Sequence, residues 1–167
     1  MVNGKQKGAR REREVCRDLS LWISHGKHED LLWRSAMSGG RSTIAHAKGK
    51  RLAAQAGDIS SIHPISSPFI ERFLVEIKDY RDLNFVGLLS GRGHLVQFWA
   101  ETVVEARNYG KFPFLVAHQN RQPTIVGLSI LGLRSFTNLY DLVVLNAPKL
   151  DLWIIPFQDF LNYDCSW

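Results

Sequence analysis

Cysteine is scarce in this chain. Two residues in 167, Cys16 and Cys165, are too few for a disulfide framework, and a reducing cytosol is the expected setting. Long apolar runs are missing as well. The longest, Thr124 to Leu133, is too short to span a bilayer, so no membrane association is expected. The opening Met1-Val2-Asn3-Gly4-Lys5-Gln6-Lys7-Gly8 carries charge without an apolar segment, which argues against a secretory signal. No Gly-Lys-Ser/Thr follows Gly87, Gly91 and Gly93, so there is no phosphate-binding loop and no nucleotide cofactor is expected. His25 and His28 have a zinc-like spacing but no Cys or further His close by, and they read as exposed residues at a helix end. Neither an internal repeat nor a linker-like composition divides the chain. Residues 1–167 are expected to form one domain with a full core.

What is present is unevenly charged. Residues 1–51 carry 12 Lys+Arg against 5 Asp+Glu, a net of +7, while the remainder carries 9 against 11, a net of −2. A basic third on a near-neutral body suits a polyanion-binding face.

Periodicity places the elements. Lys7 to about Ser24 reads as a helix, with Val15, Leu19, Trp22 and Ile23 on one apolar stripe. Glu12 extends that stripe by one turn, whereas Glu14 lies with Asp18 on the flanking polar side, so Glu12 is expected to face the packed interior. Leu31–Arg34 reads as a short strand. Residues 35–56 form a long, basic, Gly-rich connection, with a short helix expected near Ile44–Gln55. Gly57–His63 and Phe69–Lys78 read as paired strands joined by Pro64-Ile65-Ser66-Ser67-Pro68. His94–Asn108 reads as an amphipathic helix, and Phe112–His118 with Thr124–Leu128 as a hairpin. Strands at Leu142–Leu145 and Leu152–Ile155 and a helical turn at Phe157–Leu161 complete the chain. Helix, strands, helix, strands in that order imply an α/β fold with a mixed sheet. Trp22, Trp33, Phe98, Trp99 and Trp153 are expected in the core.

Carboxylates and a lysine interrupt two of the apolar strands. Asp58 lies in Gly57-Asp58-Ile59-Ser60-Ser61-Ile62, and Glu76 and Lys78 lie in Phe73-Leu74-Val75-Glu76-Ile77-Lys78. Burying such groups is costly without a compensating partner. Alternate strand residues share a face, so Glu76 and Lys78 project together while Val75 and Ile77 point to the core. Pairing of the two strands would bring Asp58 to Glu76. Their hard oxygens suit Mg²⁺ or Mn²⁺, Glu12 is placed to complete the metal shell or to position the attacking water from the helix side, and Lys78 is placed to orient water or stabilise growing negative charge. Such a group fits the hydrolysis of a phosphodiester. Asp79 points to the other face, where at most a structural or DNA-proximal role is expected.

These residues resemble the core motif of the PD-(D/E)XK nuclease superfamily, with Gly57 in place of its usual proline before the Asp. Lys7-Gly8-Ala9-Arg10-Arg11-Glu12-Arg13-Glu14 is similar to the opening of archaeal-type Holliday junction resolvases, as is Leu32-Trp33-Arg34-Ser35-Ala36-Met37-Ser38-Gly39 to their second element. The resemblance covers roughly residues 5–80. It implies a restriction-endonuclease-like fold, a mixed β-sheet flanked by helices. It also implies Glu12, Asp58 and Glu76 as metal ligands, Lys78 as the catalytic lysine, and Arg13, Arg34, Ser35 and Ser38 as DNA-phosphate contacts. Lys7, Arg10 and Arg11 beside Glu12, and Lys48, Lys50 and Arg51 in the long connection, are further backbone-contact candidates. Gln97 is a candidate accessory residue on the following helix. The segment after Lys78 looks more like that of phage-encoded relatives.

The expected activity is Mg²⁺-dependent endonucleolysis of DNA, selective for Holliday or other branched junctions, by a homodimer in the cytoplasm of a bacterial, archaeal or phage-infected cell. The rivals are a phage or repair nuclease acting on flaps, nicks or linear duplex, and a non-catalytic DNA-binding module on the same fold. A protein-interaction domain with a basic tail would neither need Mg²⁺ nor cleave.

Overall fold

The computed structural model describes residues 4–35, 56–136 and 139–163. Helix α1 spans Gly4–Ile23 and leads to a hairpin of two short strands, β1 (Leu32–Arg34) and β2 (Ile59–Ser61). A 3-10 turn (Pro64–Ser66) and helix α2 (Ser67–Arg72) precede β3 (Phe73–Tyr80). A second 3-10 turn, Phe85–Ser90, leads into α3 (His94–Asn108), β4 (Phe112–Gln119) and β5 (Ile125–Leu128). Helix α4 (Ile130–Leu133), β6 (Leu145–Ala147), β7 (Leu152–Pro156) and α5 (Phe157–Asn162) follow. The main sheet has the order β3-β4-β5-β7-β6. Its β3–β4 pair is parallel, in register Glu76↔Leu115 and Lys78↔Ala117, and its other pairs are antiparallel.

Period-two alternation divides this sheet between two cores. Val75, Ile77, Phe114 and Val116 face α1, where Val15, Leu19, Trp22 and Ile23 supply the expected stripe. Trp22, Phe69, Phe73, Phe114, Phe136 and Phe160 pack there as a connected set of rings. Leu115 and Ala117 face α3, which buries Leu95 and Trp99 against them, and Leu74 meets Ala106 farther along the same helix. The mixed sheet flanked by helices is thus the architecture observed.

Three expectations change. Residues Phe69–Arg72 are helical, not the start of a strand: Pro68 occupies the first turn of α2, where its missing N–H costs nothing, and Phe69 and Ile70 enter the core from a helix. Accordingly β2 pairs with β1 and not along the length of β3. Near the C-terminus, Leu142 ends a 3-10 turn and the strand begins only at Leu145, while α4 was not anticipated. Trp33 is 55% exposed rather than buried, because Leu32 and Arg34 on either side of it turn inward. Phe98 and Trp153 are half-buried, and Trp22 and Trp99 lie in the core. The helix expected near Ile44–Gln55 lies outside the described residues.

Gly57 is required where β2 meets β3. Its φ is +79°, and a Cβ there would lie 2.5 Å from the Val75 carbonyl oxygen. Proline, with φ fixed near −65°, is excluded from this conformation, which accounts for glycine before Asp58. Gly57→Ala is expected to destabilise the fold by about 2 kcal/mol or more, measured by urea denaturation; a loss within about 0.5 kcal/mol would show that the contact relaxes freely.

Candidate active site

Asp58 is tied to its neighbours through three hydrogen bonds. Its N–H donates to Val75 O at 2.8 Å, its carbonyl accepts from Ser35 N–H at 2.8 Å, and its Oδ2 accepts from Ile77 N–H at 2.8 Å. Although β2 does not form a ladder with β3, these bonds set the Asp58 carboxylate against the β3 edge, between the two positions that carry Glu76 and Lys78. Glu76 and Lys78 project together as alternation requires, with Lys78 Nζ donating to Glu76 Oε1 at 2.6 Å. Val75 and Ile77 point the other way into the core.

Glu12 approaches from α1. Its side chain is 16% exposed against 41% for Glu14, so the helix phase expected from the apolar stripe is the one observed. The Arg34 Nε donates to Glu12 Oε2 in a close ion pair. Ser20 orients the two elements that carry this pair: its hydroxyl donates to Cys16 O at 2.7 Å and accepts from Leu32 N–H at 3.0 Å. Glu14 pairs instead with Arg10 at 3.3 Å and Arg11 at 3.0 Å.

Electrostatics separates these groups. Burial, reinforced by the Glu76 charge and opposed by the Ile77 N–H, pushes the Asp58 carboxyl up to about 8. Burial also raises Glu76, opposed by Lys78 and reinforced by Glu105 and Glu101 on α3. Burial alone would lower Lys78, but the Glu76 carboxylate outweighs it and holds the ammonium above its ordinary value. Cys16, one turn from Glu12, is pushed up to about 12 by burial and by that carboxylate, which keeps it an unreactive thiol. Two carboxylates therefore face each other with less positive charge than they need, while the third has its own guanidinium.

The remaining candidates are distributed around this centre. Arg10 and Arg13 are exposed on α1, whereas Arg11 is turned inward, 4.0 Å from Asp79 on the far face of β3. Asp79 points to the face expected, its side chain 4% exposed. Ser35 is buried at the Asp58 carbonyl rather than presented at the surface. Gln97 is exposed on α3 and donates to Glu101 at 3.1 Å, apart from the carboxylates. Ser38, Lys48, Lys50 and Arg51 lie outside the described residues, as does the side chain of Lys7. Among the described residues no three His, Cys, Asp or Glu side chains come together as a metal-binding group. Glu101 and Glu105 were missed in the sequence; only the pairing of α3 with β3 brings their charge to bear on Glu76.

A family model described as "Phage putative PDDEXK endonuclease" matches residues 3–145. The chain belongs to this family. The match includes Glu12, Asp58, Glu76 and Lys78 and ends at the first residue of β6. No curated protein and no solved structure matches the endonuclease significantly. No described helix of the endonuclease is long and apolar enough to cross a membrane.

The raised Asp58 carboxyl makes the metal-free endonuclease less stable as pH rises. Its unfolded value is near 3.8 and its folded value about 8, so between these limits the folded state binds more protons and each rise in pH favours unfolding. The slope from this group is at most about 1.4 kcal/mol per pH unit. Asp58→Asn is expected to flatten the dependence and to raise the midpoint of thermal unfolding at pH 8 in EDTA. Parallel curves for wild type and variant from pH 5 to 8 would remove Asp58 as the cause.

Proposed function

We propose that the endonuclease hydrolyses DNA phosphodiesters with a divalent cation and acts at branched junctions, as a Holliday-junction resolvase does. The observation that supports this reading is the meeting of Asp58, Glu76 and Lys78 at the β3 edge, with Glu12 arriving from α1.

The donor set fits a hard cation. Asp58 and Glu76 offer carboxylate oxygens, both raised chiefly by burial, and Mg²⁺ takes one or two carboxylates alongside water and phosphate. These two residues would hold Mg²⁺, with Mn²⁺ able to replace it. When bound, the cation supplies Lewis acidity toward the scissile phosphate and lowers the pKa of water. Lys78 stays protonated beside Glu76, so its part is to stabilise negative charge on phosphate oxygens by donating hydrogen bonds, not to accept a proton. Arg34 neutralises Glu12 in the free protein. A DNA phosphate competes for the same guanidinium, and its arrival releases Glu12 to join Asp58 in positioning the attacking water.

Exposed Arg10 and Arg13 on α1 supply phosphate contacts, so recognition depends on backbone charge and DNA shape. Resolution of a junction requires two cuts on two strands, which a two-fold homodimer provides by presenting two such sites.

Asp58→Asn should abolish cleavage while DNA binding persists. Glu12→Gln should lower the cleavage rate by about 100-fold or more, and Glu14→Gln by no more than a few-fold; equal effects would remove Glu12 from the reaction. The decisive assay sets a labelled four-way junction beside a linear duplex of the same arms, each with Mg²⁺ and with EDTA. Symmetric, metal-dependent cuts on the junction alone are the expected result. Cleavage of both substrates would keep the nuclease and discard junction selectivity, and no cleavage with any cation would leave a DNA-binding module.

A further inference from the structure

Tyr80 lies two residues beyond Lys78 on β3, so Glu76, Lys78 and Tyr80 share one face of the strand. The step from Lys78 to Tyr80 is roughly 6.6 Å along the chain. Phe98, on α3, bridges the two. Lys78 Nζ sits 5.4 Å from the centre of its ring, and the Tyr80 ring meets it edge-on at 5.3 Å. His94, the first residue of α3, closes the group at 4.5 Å from Tyr80 and 6.1 Å from Phe98, with its Nδ1 3.2 Å from Asp82 O.

This cluster differs from the aromatic core beneath α1. There the rings of Phe69, Phe73, Phe114 and Phe160 are buried. Here Tyr80 is 40% exposed and His94 is exposed, while Phe98 is half-buried behind them. Arg81, the next residue, is exposed as well. An aromatic surface therefore begins at the ammonium of the candidate site and runs outward along the same strand face.

We propose that Tyr80, His94 and Phe98 form a stacking subsite for one unpaired nucleobase of the strand whose phosphate reaches Lys78. The charge and the rings match the two parts of a nucleotide: Lys78 attracts its phosphate, and the exposed rings of Tyr80 and His94 take its base. Stacking of this kind is tolerant of sequence, because every base has a π-face. It is selective for structure, because a base within intact duplex is covered by its neighbours and only a branch point, flap, gap or single strand offers one. The subsite thereby rests on the nuclease reading of Asp58, Glu76 and Lys78 and narrows its substrate to DNA with an unstacked base beside the cut.

The test uses the whole chain in EDTA, where no cleavage competes with binding. The probes are a branched DNA carrying 2-aminopurine at an unpaired position and a fully paired duplex of the same sequence. Wild type should change the fluorescence of the unpaired probe on binding. Tyr80→Ala should abolish that change and weaken binding of the branched DNA about tenfold, with duplex binding altered by less than about twofold. Tyr80→Phe, which keeps the ring, should behave as wild type. If Tyr80→Ala lowers the melting temperature, His94→Ala at an exposed position replaces it and should show the same selective loss. Equal weakening on both DNAs, or a fluorescence change that survives both substitutions, would overturn the subsite. Selective stacking by a protein that cleaves nothing with any cation would support the subsite and defeat the nuclease reading. Cleavage of branched DNA unaffected by Tyr80→Ala would do the reverse.

Discussion

Two backbone N–H groups fasten the β1–β2 hairpin to the edge of the main sheet, and the candidate site depends on them. Asp58 N–H donates to Val75 O, and Ile77 N–H donates to Asp58 Oδ2. The first bond fixes the strand position, and the second fixes the carboxylate. Because Val75 and Ile77 flank Glu76, the same bonds that hold Asp58 also place it beside Glu76. Gly57 makes this approach available: the close passage of its backbone to the Val75 carbonyl leaves no room for a side chain. A gap of even a methyl group here would separate the acids and release the electrostatic tension between them.

That tension links stability to chemistry. Asp58 and Glu76 are both raised, chiefly by burial, and one lysine serves both. Such an arrangement costs the fold free energy when both carboxylates are charged, since burial opposes their ionisation. Glu12 is treated differently. Arg34 satisfies it from the β1 side, and Ser20 locks α1 to β1 so that the pair stays aligned. The free protein thus keeps one carboxylate neutralised by Arg34 and two raised by burial.

Much of this was legible in the chain. The i, i+4, i+7, i+8 stripe on α1 gave the phase that turns Glu12 inward and Glu14 outward, because burial of Val15, Leu19 and Trp22 leaves the helix no other rotation. Alternation in β3 gave the shared face of Glu76 and Lys78. The α3 boundaries and the β4–β5 hairpin were equally plain, since their periodicity was uninterrupted. Residues 69–72 read as strand because Phe69 and Ile70 are as compatible with a buried strand as with a short helix; Pro68 decides for the helix, through its place in a first turn. Trp33 was misread because an aromatic residue in a short strand carries no sign of which face is covered.

The linear sequence by itself determined the chemistry available: the acid and lysine positions, the basic first third, the helix phase and the α/β class, since each follows from residue type and local spacing. Tertiary structure decided the meeting of these parts. The attachment of Asp58 to β3 by two hydrogen bonds rather than a strand ladder, the pairing of Glu12 with Arg34, the charge of Glu101 and Glu105 on Glu76, and the gathering of Tyr80, His94 and Phe98 all join residues from different elements. Their separations are set by how α1 and α3 pack on opposite faces of one sheet, and no local pattern encodes that packing.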